Sequence, residues 1–299
     1  MSGESAAEVT VFGGTQRACL EYGLVLDARS IPYQLIEQDG GWILSVTAEL
    51  EPMAREELSR YALERSVPRT RLPQRPPFPG AQAAAAGYAL LLLLIAHASG
   101  ADWFGADWLD AGDLRRNAQG GIDLFRAFTA LTLHLDALHL VGNLLFGIAA
   151  GVVVGRLFGP GIAWASILAA GAAGNLLEML IAPAGHRAAG ASTAVFAALG
   201  LLSGYGWGLR LRLRERWAWR WAPLIIGASL MTLFGTGTDH VDVLGHGLGF
   251  LCGVACGWAY SRADVPRSRS AAVQAAAAAT ALAAIMFAWY LALRAAPAA

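Results

Sequence analysis

Between Ala81 and Leu293 the chain passes through seven long, nearly uncharged apolar runs, separated by short connectors rich in arginine. About 20 apolar residues in a helix cross a hydrocarbon core about 30 Å thick. The runs at 81–100, 131–155, 160–182, 190–209, 221–236, 242–260 and 272–293 are therefore read as membrane spans, the fifth being the shortest. Composition agrees: 56% of residues are hydrophobic and 15% charged, where a soluble chain carries about a quarter charged residues. The fold class expected is an all-α polytopic membrane protein.

The first 67 residues differ in character. Glu8–Phe12 suits a strand, Gln16–Arg29 has helical apolar spacing, and Tyr33–Glu37 and Trp42–Thr47 read as strands joined through Asp39-Gly40-Gly41. Leu50–Glu64 reads as a charged amphipathic helix, which completes a small βαββα domain of α+β type with no catalytic constellation. Residues 68–80 form a proline-rich linker. The membrane core is expected over 81–260, followed by a connector and seventh helix over 261–299. No basic stretch leads into an apolar one within the first 80 residues, so the first span is expected to direct insertion itself.

All 22 basic residues are arginine, and their placement predicts orientation. Arg55, Arg60, Arg65, Arg69, Arg71 and Arg75 precede span one, and Arg156 follows span two. Arg210, Arg212, Arg214, Arg216 and Arg220 follow span four, and Arg262, Arg267 and Arg269 follow span six. If every run crosses, these all lie on one side, expected to be cytoplasmic. The N-terminus and its domain would then be cytosolic and the C-terminus outside. The other side holds the acidic 101–123 loop and the arginine-free 236–242 turn; Arg115, Arg116 and Arg187 are exceptions. Tryptophans 103, 108, 217, 219 and 221 fall where interfacial belts are expected. A net charge of zero gives no basic face for nucleic acid. Cys19, Cys252 and Cys256 suggest neither a disulfide framework nor a metal site, and no cofactor is called for.

Three segments carry chemistry. Span two contains His134, His139 and Asn143, the last two on one helical face; such groups mark function in a membrane or join helices. Span four opens Gly190-Ala-Ser192, with Phe196 one turn on. Ser192 is either an N-cap or a nucleophile at a helix terminus whose free N–H groups suit an oxyanion. Span six has His246 on the face of Gly249, Gly253 and Gly257, a small-residue surface for close helix approach, where a histidine either packs or acts. Together they supply a nucleophile, a base and oxyanion donors.

At this point the chain resembles the rhomboid family of intramembrane serine proteases, in its bacterial six-plus-one-span form. The resemblance rests on Arg126, Thr129, His134, His139 and Asn143, then Gly-Ala-Ser192, then His246-Gly-Leu-Gly. It covers roughly residues 80–260. It implies a six-helix core plus a seventh span, with Ser192 as nucleophile and His246 as general base and acid. His139, Asn143 and the N–H of Ser192 would form the oxyanion hole, with Gly190, Phe196 and His134 in support and no metal. It implies transmembrane protein substrates in a lipid bilayer, the bacterial inner membrane as location, and a possible cytosolic partner for the N-terminal domain. Two departures stand out. Thr193 replaces the family's glycine after the serine, adding bulk expected in the substrate's path, and Gly245 stands where an alanine commonly precedes the histidine. The rival reading is a rhomboid-like pseudoprotease that binds membrane clients without cutting them. A transporter would show repeats, and none is evident. His97, His186 and His240 have no supporting pattern and are read as surface or loop residues.

Overall fold

The computed structural model describes residues 7–38, 40–66, 76–117, 120–213, 215, 217–235, 242–263 and 270–295. Outside them fall Met1, Asp39, most of the proline-rich linker, Arg69, Arg71, Arg75, Arg214, Arg216, Asp239, His240, Arg267, Arg269 and Ala299. The chain divides into two compact units, 1–74 and 75–299.

The first unit has the order β1 (Glu8–Gly14), α1 (Gln16–Asp27), β2 (Gln34–Gln38), β3 (Gly41–Thr47) and α2 (Glu51–Ser66). The strands form an antiparallel sheet ordered β1-β3-β2. Leu44 and Val46, two apart and so on one face of β3, share an apolar cluster with Cys19 and Leu26 of α1 and Ala54 and Leu58 of α2. Thr15 caps α1 by accepting from the Ala18 amide. Cys19 is fully buried, and its thiol donates to the Trp42 carbonyl, so it is a packing residue.

The second unit is helical. Its elements are α3 (Ala81–Gly100), α4 (Trp108–Gly112), α5 (Arg126–Thr129), α6 (Ala137–Phe158), α7 (Pro160–Ile181), α8 (Ser192–Arg212), α9 (Trp217–Gly235), α10 (Val243–Arg262) and α11 (Ala271–Ala295). Among the described residues, six helices are long and apolar enough to cross a membrane: α3, α6, α7, α8, α10 and α11. The chain is thus a multi-pass membrane protein. The fifth predicted span differs from expectation. It begins earlier, at Trp217, and its first two turns hold three tryptophans, Arg220 and Pro223, which leaves α9 outside that set.

Contacts at the helix ends show how the runs traverse the bundle. At one end, Gly190 lies against His139, Gly245 against Glu178, and Gly235 against His246. This gathers the starts of α6, α8 and α10 with the finishes of α7 and α9. At the other end, the Phe78 amide donates to Arg156 O, and the Gln274 carboxamide accepts from the amides of Gly161 and Ile162 while donating to Phe158 O. Trp289, about four turns along α11 from Gln274, donates to the Thr132 hydroxyl. Trp221, near the start of α9, packs on Trp207, near the end of α8, at 5.6 Å between ring centres, so α9 and α11 both run the length of the bundle.

Span two starts later than expected. Residues 130–132 form a 3-10 turn, and α6 begins only at Ala137, because Asp136 caps it by accepting from the His139 amide. His134 therefore sits in the loop before α6. Both its ring nitrogens are buried without a hydrogen-bond partner among the described residues, and its ring lies 5.3 Å from that of His139. The 101–123 loop is also less peripheral than predicted. Phe104 and Trp103 are exposed, but Trp108 is buried against Trp289, 4.5 Å between ring centres, so it belongs to the helix core and not to an interfacial belt.

Candidate functional site

The packing of α8 on α10 sets the geometry. A Cβ on Gly249, Gly253 or Gly257 would collide with the carbonyl oxygen of Thr193, Ala197 or Leu201, respectively. Both series rise together, so the two helices run parallel at a constant offset of 56 residues. Gly200 and Gly204 of α8 return the contact against Phe250 and Val254. Extending the register back one turn brings His246 level with residue 190, beside the start of α8. Glycine is required along this seam because backbone lies where a side chain would be.

Ser192 is the first residue of α8, after Ala191, and no side chain caps this terminus. The N-cap reading of Ser192 is thereby excluded, and the first-turn amides remain open to a ligand. His246 is buried, and its Nδ1 lies 2.9 Å from the Gly235 carbonyl oxygen. A carbonyl only accepts, so the imidazole carries its proton on Nδ1 and leaves the Nε2 lone pair free when neutral. The Phe196 ring is 4.5 Å away at 43° and holds the imidazole plane from one side.

Gly190 is the hinge between the two halves of the site. A Cβ there would sit 2.6 Å from His139 Cε1, 2.8 Å from His139 Nε2 and 3.3 Å from Ser192 Oγ. The His139 imidazole and the Ser192 hydroxyl therefore flank one small space, which any side chain at 190 would fill. Asn143, one turn from His139, is buried, and its Nδ2 has no acceptor among the described residues. His139, Asn143, Gly190, Ser192, Phe196 and His246 line one cavity of about 930 Å³, with Leu230 and Phe234 of α9 on its wall.

The residues upstream brace this cavity. Arg126 is buried and donates to the Asp113 carboxylate and carbonyl, while Thr129 donates to Gly112 O. Asp113 also pairs with Arg115 and Arg187, and Asp110 with the same two arginines. The Arg115 hydrogen bond holds the Asp110 carboxyl down at about 2, whereas burial pushes Asp113 up despite three neighbouring arginines. Arg116 donates to the carbonyls of Met179 and Leu180.

Residues 122–263 match the family model of the rhomboid domain. This stretch is a rhomboid domain. The matched stretch runs from just before α5 to the end of α10 and includes every helix that lines the cavity. No curated protein matches the chain significantly.

Two residues of this rhomboid domain make contacts that the sequence does not show. Thr193 is buried, and its Cγ2 reaches toward Gly174 of α7 and Gly249 of α10, so it packs at a three-helix junction as well as lining the cavity. Thr193→Gly should then lower thermal stability, by about 2 kcal/mol from the cavity and the lost helix propensity, measured as a drop in unfolding temperature in detergent. His186 is also not a free loop residue: its Nε2 is 2.5 Å from Oε1 of the fully buried Glu178. Glu178 was not singled out from sequence, although a lone carboxylate in an otherwise apolar span was signal enough.

Proposed function

We propose that this rhomboid-domain chain is an intramembrane serine protease with a Ser192–His246 dyad. The observation that carries the reading is the buried, acceptor-less Asn143 Nδ2, which faces the same cavity as an uncapped serine and an imidazole held in one tautomer. An unpaired buried donor costs about 1–3 kcal/mol and persists where a ligand oxygen is to be bound. His246 Nε2 takes the Ser192 proton as Oγ attacks a substrate carbonyl. The oxyanion is met by Asn143 Nδ2, His139 and the Ser192 amide, and His246 then protonates the leaving amine. Water enters by the same cavity to release the acyl group. Wild type should cleave members of a panel of single-span membrane proteins and take up a fluorophosphonate label, and Ser192→Ala should do neither. Cleavage by Ser192→Ala would replace the protease with a client-binding protein.

Orientation follows the arginines, in what would be a bacterial inner membrane. The three that break the charge asymmetry are engaged at the cavity end of the bundle: Arg115 and Arg187 with Asp110 and Asp113, Arg116 with backbone carbonyls. The opposite end, with Arg156, Arg210, Arg212 and Arg262, is assigned to the cytoplasm together with the N-terminal domain, which is free there to meet a soluble partner. Reporter tags after Met1 and in the 213–216 connector should read cytoplasmic, and one at Ala299 should read external. A cytoplasmic Ala299 would mean that α9 or α11 does not cross.

A further inference from the structure

Beside the dyad lies a group of residues that the proposed hydrolysis does not use. Glu178 stands in the last turn of α7, His186 in the loop that leads to Ser192, and Asp242 at the start of α10, four residues before His246. One ligand atom from each can be chosen so that all three lie within 4.8 Å of one another. Glu178 is wholly buried, with Oε1 at His186 Nε2 and Oε2 without a donor among the described residues. Asp242 divides its oxygens: Oδ1 caps α10 by accepting from the Gly245 amide at 2.8 Å, and Oδ2 turns toward the Glu178 carboxylate. Among the described residues no arginine pairs with either acid.

Two facing carboxylates, that of Glu178 wholly buried, and a half-buried imidazole, with no arginine paired to either acid among the described residues, are the donor set of a divalent ion. Gly245 supplies an independent sign. It departs from the alanine common in the family, and a Cβ at this position would lie 2.6 Å from Glu178 Oε2 and would collide with Asp242 Oδ2. The methyl group that is missing from the family pattern is the space in which the two carboxylates meet.

We propose that Glu178, His186 and Asp242 form a zinc site, with water completing the coordination. One nitrogen and two oxygen ligands suit this borderline ion, and a dipositive charge neutralises both acids while the imidazole stays neutral. Asp242 and His186 both line the cavity, which gives the ion its path. The bound ion ties the end of α7 and the segment entering Ser192 to the start of the helix that carries His246. It is a clip across the site, outside the chemical step. The ligands are spread from 178 to 242 and form no spaced motif that the sequence alone would show.

The test is zinc binding by the full-length protein in lipid nanodiscs, with the purification tag removed, measured by equilibrium dialysis and metal analysis. Neither readout requires proteolysis, so the outcome is separate from that of the protease reading. Wild type should bind one zinc ion per chain and unfold at a higher temperature with zinc than with chelator. His186→Ala and Glu178→Gln should each weaken binding by about 100-fold or more, a ligand mattering at least as much as its outer partners. Gly245→Ala, which restores the family's residue and should fold, should weaken it likewise, while His246→Ala should still bind. Absence of stoichiometric zinc in wild type would overturn the site and leave a proton shared between Glu178 and Asp242. Unchanged binding in both His186→Ala and Gly245→Ala, or loss of zinc only in His246→Ala, would also overturn it.

Discussion

Ser192→Ala, His246→Ala and the double variant should all show the same residual cleavage, several orders of magnitude below wild type. Residues that act as one unit give such non-additivity, because once either is gone the other has nothing to assist. The physical basis here is the fixed tautomer. With Nδ1 donating to Gly235 O, the His246 lone pair is left on Nε2, where the proposed dyad needs it to accept the serine proton. Asn143→Ala should be milder, lowering kcat by about 100- to 1000-fold for a single lost oxyanion donor, since His139 and the α8 amides remain. Fluorophosphonate labelling separates the roles: it should vanish in His246→Ala and survive, slowed, in Asn143→Ala. Equal cleavage by wild type and His246→Ala would remove the dyad. A double variant well below both singles would show that the two residues act independently.

Much of the architecture could be read from sequence because lipid imposes simple rules. The apolar runs give the helices and their order, and glycines every fourth residue mark the face by which α10 meets α8. The βαββα order of the first unit followed from strand and helix periods. What could not be read depends on packing between distant segments. Trp108 has the composition of an interfacial anchor, and only the approach of α11, with Trp289, makes it core. The junction at Thr193 is hidden because sequence cannot say which helices a residue at a helix start will meet; Gly174 and Gly249 on two other helices receive its methyl group. The late start of α6 was a misreading of legible chemistry, since Asp136 is an acceptable cap three residues before His139. Glu178, His186 and Asp242 come together only through the antiparallel return of α7 and the loop after it.

Gly253→Val should be the most damaging substitution away from the cavity. Gly253 lies near the middle of the α8–α10 seam, where any Cβ would overlap the Ala197 carbonyl oxygen and crowd the Leu201 amide nitrogen at 2.9 Å. Those neighbours are helix backbone, already bonded within α8, and cannot rotate aside as a side chain would. The helices must therefore separate or slip. Overpacking against side chains costs about 1–3 kcal/mol, and a clash with backbone in a small-residue seam should exceed that. Separation also moves His246, two turns toward the start of α10, away from Ser192 on the parallel helix. The expected result is a large fall in unfolding temperature with loss of fluorophosphonate labelling in whatever protein remains folded. Gly247→Val is the matched control, because a Cβ at Gly247 meets nothing within 4 Å, and it should fold and label nearly as wild type does. If Gly253→Val also folded and labelled normally, α8 and α10 would not be packed backbone to backbone, and the register that brings His246 level with the start of α8 would be wrong.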